Sequence, residues 1–156
     1  MRVFIGVGHG GPDPGAVGRV KEADANRTIA LELKRLLESY GITVGISRTG
    51  DEEDRLADEI AEANAFAPDL AVEVHSNAGG GDGFEVYVQT NRYAAQSSAL
   101  AKAIEAEVKA IGQHMKPQQM SKVCPGKKQF NDRIVLKREQ IAVMHHCFVN
   151  RTTHNC

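Results

Sequence analysis

A three-layer α/β fold with a mostly parallel, mixed sheet is predicted by three observations. Short β-branched apolar runs alternate with amphipathic helical segments, and glycine-rich or charged turns separate them. The order they produce is β-α-β-α-β-β-α, which places helices on both faces of one sheet. A chain of 156 residues also suits a single domain with a proper core.

The elements follow in order. Residues 2–8 are apolar and β-branched and run into a glycine-rich turn, as a buried strand does. A helix is expected over residues 24–40, with Ile29, Leu33, Leu36 and Leu37 at helical spacing and Gly41 stopping it at C′. Residues 43–47 form a second strand. The acids Asp51, Glu52, Glu53 and Asp54 suit the positive end of a second helix, lined by Leu56, Ile60 and Ala63 and closed before Pro68. Residues 69–75 give a third strand, 78–83 a turn and 84–89 a fourth strand. Residues 94–111 are the clearest helix, with Leu100, Ile104, Val108 and Ile111 on one face.

After Gly112 the pattern weakens, so the single domain 1–156 carries a divergent segment over 112–156. Residues 113–129 hold almost no aliphatic side chains and read as a long loop; 134–136 and 141–144 are short apolar runs that could be strands, and a polar tail follows Asn150. There is no internal repeat and no second core.

The net charge of -1 argues against a nucleic-acid partner, which requires a basic surplus. Residues 116–138 do carry seven Lys or Arg against one acid, Asp132; they read as a solvated loop, with an anionic polymer as the alternative. No signal peptide or membrane span is read in this sequence, since Met1 runs almost directly into Val3-Phe4-Ile5; the route of export is left open, by another pathway or through a leader removed beforehand. Three cysteines (Cys124, Cys147, Cys156) at unpatterned spacings imply free thiols, not a disulfide framework or a cysteine-rich zinc module.

Gly6-Val7-Gly8-His9-Gly10-Gly11 satisfies the dinucleotide pattern G-x-G-x-x-G. That pattern needs a helix to open at once, and Pro12-Asp13-Pro14-Gly15 prevents it. What remains is a histidine at the carboxyl end of the first strand. His75 holds the equivalent place on the third strand, and Glu22 lies at the start of the first long helix, where a carboxylate can reach back over the strand ends. Two histidines and a glutamate leave a fourth position free, as in hydrolytic zinc sites, although spacing alone leaves a structural role open for each.

The surrounding residues are more specific. Val7-Gly8-His9-Gly10-Gly11-Pro12-Asp13-Pro14-Gly15-Ala16-Val17-Gly18 closely resembles the zinc-binding opening of the N-acetylmuramoyl-L-alanine amidases of the amidase-3 family. Glu22 with Asn26, Ser47-Arg48-Thr49, Ala63-Asn64, Val74-His75-Ser76-Asn77-Ala78 and Gly81-Asp82-Gly83-Phe84-Glu85-Val86-Tyr87 continue the likeness in order, over about residues 2–111. The resemblance implies a phosphorylase/hydrolase-like fold and zinc on His9, Glu22 and His75. It also implies cleavage of the amide between N-acetylmuramic acid and L-alanine in peptidoglycan, at the cell wall, as in a bacterial autolysin or a phage endolysin.

The family carries a second glutamate near its C-terminus, in a stretch of the form V-E-x-x-F-x-x-N, as acid and base. Here Val143-Met144-His145-His146-Cys147-Phe148-Val149-Asn150 places His145 at that position. His145 can transfer protons, bind the zinc as a further ligand, or mark a domain that holds metal and hardly turns over. Glu139 reads as exposed and structural, as do His146, His114 and His154. Glu73 shares a strand face with His75, where it orients that ligand or pairs with a cation. The expected activity is therefore a zinc amidase; the alternatives are a catalytically impaired muropeptide-recognition or regulatory module and a zinc peptidase or deacetylase.

Overall fold

The computed structural model describes residues 1–76, 83–89, 94–114, 119–121 and 133–138. Along the chain run β1 (Arg2–Val7), α1 (Glu22–Ser39), β2 (Thr43–Ile46), α2 (Leu56–Phe66), β3 (Leu70–Ser76), β4 (Phe84–Gln89), α3 (Ala94–Ala110), β5 (Gln119–Ser121) and β6 (Arg133–Arg138). The first seven follow the expected order. The strands form one sheet in the order β2-β1-β3-β6-β4-β5. All neighbours are parallel except β4 and β6, so the sheet is mostly parallel and mixed.

Alternation along the strands feeds two layers of helix. Val3, Ile5 and Val7 of β1 and Val74 of β3 pack under Ala30, Ile29, Leu33 and Leu37 of α1. The opposite face of β1 sends Phe4, with Ala71 of β3, against Ile60, Ala63 and Phe66 of α2. Phe84, Val86 and Val88 of β4 meet Leu100, Ala101, Ile104 and Val108 of α3. Val86 and Val74 both pair with Leu136 of β6, so α3 lies on the α1 side. Ile5, Val7, Val86 and Val88 are fully enclosed, and each such side chain contributes about 2 kcal/mol of transfer free energy.

Four expectations change in detail. α1 begins at Glu22, two residues early, because the amides of Glu22 and Ala23 are taken by the carbonyls of Ala16 and Pro14. Asp51 to Asp54 precede α2, which opens at Leu56, and work in the loop instead. Glu52 accepts the amides of Thr49 and Gly50, Asp51 that of Gly11, and Asp54 the hydroxyl of Ser47. Ile111 falls beyond α3 and is 42% exposed. The expected loop over 113–129 contains β5, a three-residue edge strand defined by its backbone ladder to Tyr87, Val88 and Gln89. Such a strand carries no hydrophobic alternation to read. The apolar run 134–136 is the centre of β6, whereas 141–144, Glu139, His145, His146, His154 and the three cysteines lie outside the described residues. Among the described residues, no helix is long and apolar enough to cross a membrane.

Candidate metal centre

β1 and β3 are adjacent and parallel, so their carboxyl ends share one edge of the sheet. The ladder continues to Gly8, whose amide donates to the Val74 carbonyl, and the chain then turns sharply. His9 makes that turn with φ 66, a left-handed conformation that costs a non-glycine residue on the order of 1 kcal/mol. The turn closes by reciprocal hydrogen bonds between the backbones of Gly10 and Asp13. It sets the Asp13 carboxylate 2.9 Å from His9 Nδ1, which lowers the pKa of Asp13. The other ring nitrogen, Nε2, faces inward and lies 3.3 Å from Glu22 Oε1.

Glu22 is the first residue of α1, beside the positive end of the helix. Its Oε2 accepts the amide of Ala16 and its Oε1 accepts the amide of Ser76, while His75 Nδ1 stands 3.1 Å from Oε1. Burial raises its pKa, but the hydrogen bonds from His75, Ala16 and Ser76 together with the charge of His9 overcome that effect and hold it at about 2. Glu22 is thus a carboxylate under all ordinary conditions.

The rings of His9 and His75 meet edge to face, with centroids 5.0 Å apart. Their closeness explains two glycines. A Cβ on Gly8 would lie 2.3 Å from Cε1 of His75, and one on Gly15, where φ is 62, would lie 2.6 Å from Cδ2 of His9. A side chain at either place would have to displace the neighbouring ring.

Two buried residues tie together the elements that carry His9, Glu22 and His75. Asn26, one turn after Glu22 on α1, donates Nδ2 to the Gly8 carbonyl at 3.0 Å and accepts the Ser76 hydroxyl on Oδ1 at 2.9 Å. It therefore joins the neighbours of His9 and His75 to the helix that carries Glu22. Arg48, two residues beyond β2, donates to the carbonyls of Val7, Gly8, Ala23 and Gly50. Its burial lowers its pKa, and the four carbonyls compensate the guanidinium for lost water. Asn26 and Arg48 entered the sequence reading as parts of motifs without a role. The i, i+4 spacing of Glu22 and Asn26 was the available signal, since it puts both on one helix face.

One donor atom from each of His9, Glu22 and His75 lies within 4.8 Å of the others, so the three could hold a metal ion. The donor chemistry fits zinc, which takes imidazole nitrogen and carboxylate oxygen. The fit is supported by the inward Nε2 of His9 and the fixed charge of Glu22. Among the other residues singled out, His114 is exposed, and its carbonyl accepts the amide of Phe84. The expected acid/base residue, His145, lies outside the described residues.

Fold and site together define the class: an α/β domain with a candidate His-Glu-His metal centre at the carboxyl edge of a mostly parallel sheet. The sequence pattern of the N-acetylmuramoyl-L-alanine amidases, amidase-3, matches residues 3–145, and the chain belongs to that family. It is 37% identical over 111 residues to a sporulation-specific N-acetylmuramoyl-L-alanine amidase of Bacillus subtilis (strain 168), covering 69% of this chain and 43% of that protein. Likewise it is 38% identical over 118 residues to an endolysin of Bacillus phage SPP1, covering 70% of this chain and 44% of the endolysin. The chain thus spans less than half the length of these two relatives. In three dimensions it is similar to the crystal structure of an N-acetylmuramoyl-L-alanine amidase from Clostridium difficile 630, with a TM-score of 0.76 and 26% identity over 86% of this chain and 77% of that one.

Proposed function

We propose that this chain is a zinc-dependent peptidoglycan amidase domain that hydrolyses the amide between N-acetylmuramic acid and L-alanine at the bacterial cell wall. The observation that carries the reading is the convergence of His9, Glu22 and His75 in a chain of the amidase-3 family. Zinc held there supplies Lewis-acid polarisation of a carbonyl and a lowered pKa for water.

The protein's own residues account for the rest of the design. Glu22 is 7% exposed and acts as the closed, anionic wall of the site, whereas His9 and His75 are 24% and 19% exposed and leave their side open to a substrate. Asp13 orients His9 by accepting from Nδ1, and Asn26 and Arg48 hold the turn and the helix start in register. Proton delivery to the departing amine of L-alanine falls in this reading to His145, a competent acid and base near neutral pH.

Purified peptidoglycan incubated with the zinc-loaded protein tests the reading. The expected result is release of soluble fragments with new free amino groups on L-alanine and no new reducing ends, abolished by a chelator and by His75→Ala. Absence of release from metal-loaded protein, with activity gained in His145→Glu, would instead make the chain a zinc-binding module with an impaired acid/base position. New amino groups on sugars or between other stem residues would mean deacetylase or peptidase chemistry.

A further inference from the structure

We propose that Glu73 is a positioning residue for the metal centre: it holds His75 in the tautomer protonated on Nε2 and so makes Nδ1 the metal-binding nitrogen. The inference rests on the zinc reading above and specifies how this chain prepares one of its ligands.

Glu73 and His75 are two residues apart on β3, so their side chains leave the same face of the strand. Glu73 Oε1 lies 2.6 Å from His75 Nε2, while Nδ1 lies 3.1 Å from Glu22 Oε1. A carboxylate only accepts hydrogen bonds, and the shorter contact has the length of a charge-assisted one, so the ring proton belongs on Nε2. Nδ1 donates to Glu22 in the metal-free protein; a metal ion displaces that proton, and the lone pair it leaves faces Glu22 and His9, the side on which the three donor atoms converge.

The ring has little freedom to do otherwise. Gly8 abuts the Nδ1–Cε1–Nε2 part of the ring, where an added Cβ would be 2.3 to 2.7 Å from Cε1, Nε2 and Nδ1. A half-turn of the ring would put Cδ2 opposite Glu22 and Cε1 opposite Glu73, in the places where the nitrogens now stand. Burial sets Glu73 apart from the matching partner of His9: the side chain of Glu73 is 5% exposed and that of Asp13 67%. A buried charge-assisted bond is screened far less than an exposed one. The two histidines are consequently prepared in opposite senses, His9 to bind through Nε2 and His75 through Nδ1.

Long-range proton–nitrogen spectra of the imidazoles in 15N-labelled, zinc-loaded protein read the tautomers directly. His75 should show a protonated Nε2 and a metal-shifted Nδ1, and His9 the reverse. Zinc affinity, measured by competition with a chelating indicator, should fall roughly 10- to 100-fold in Glu73→Ala. It should fall less in Glu73→Gln, whose amide oxygen still accepts from Nε2–H. Circular dichroism in the presence of chelator establishes that each variant is folded; if Glu73→Ala is not, the spectrum and Glu73→Gln decide. Metal on Nε2 of His75, or wild-type zinc affinity in folded Glu73→Ala, would overturn the proposal and leave a buried Glu73–His75 ion pair. Loss of zinc in His75→Ala with unchanged affinity in Glu73→Ala overturns this inference alone. A folded wild-type protein that binds no zinc overturns the zinc reading and this inference with it.

Discussion

Glu22 combines three properties that rarely coincide: it is buried, ionised and placed between two imidazoles. Its pKa of about 2 lies below the ordinary 4.5, so the folded state favours the carboxylate. The resulting stabilisation is complete above pH 4.5 and is lost as pH falls toward 2, with a size on the order of 3 kcal/mol. Urea unfolding of the metal-free protein at pH 6 and at pH 2.5 should show that loss in the wild type, and Glu22→Gln should lack this part of it. Equal acid sensitivity in both proteins would contradict the placement of Glu22. A second test concerns Gly8, where any side chain meets the His75 ring. Gly8→Ala should cost about 1–3 kcal/mol in chemical unfolding and reduce zinc affinity, because the ring must shift to admit the methyl group. The three candidate ligands were picked out from strand ends and motif, but the residues that support them were not. Asn26 and Arg48 are polar residues like many others until tertiary structure brings Gly8, Ala23 and Ser76 to them.

At the level of elements, α1 does most to build the site. Its closeness to β1 depends on Ala30, which is 0% exposed and packs with Val3, Ile5 and Val7 of the strand. Ala30→Leu would force the helix off the sheet, at a cost of about 1–3 kcal/mol measurable by denaturant unfolding. A neutral outcome would mean that the interface has slack the packing does not show. β6 raises a different issue. It is the last strand described, yet it lies between β3 and β4 and pairs with both. Ile134→Pro should remove a ladder donor at the centre of the sheet and cost about 3 kcal/mol or more, seen as a lowered midpoint of thermal unfolding. The first seven elements were readable because hydrophobic periodicity is local. The place of β6 was not, since pairing between residues such as Val74, Leu136 and Val86 is set by distant parts of the chain. The same reason hid β5, whose existence rests on a three-residue ladder.

For the whole molecule, the parallel pairing of β1 with β3 is the decisive feature. It brings two strand ends to one edge and lets the start of α1 close over them. Glycine at 8 and 15, the left-handed turn at His9 and the buried pair Asn26 and Arg48 all serve that one convergence. Folding and metal binding should therefore be linked. Zinc in excess should raise the midpoint of thermal unfolding in the wild type and leave it unchanged in His75→Ala. The most direct measurement is zinc-edge X-ray absorption on the protein loaded with one equivalent of metal. Two imidazole nitrogens at about 2.0–2.1 Å with a carboxylate oxygen, and no sulfur, are expected, along with loss of one imidazole signal in His75→Ala. Sulfur neighbours at about 2.3 Å, or an unchanged spectrum in that variant, would place the metal on the cysteines or elsewhere and contradict a centre built from His9, Glu22 and His75.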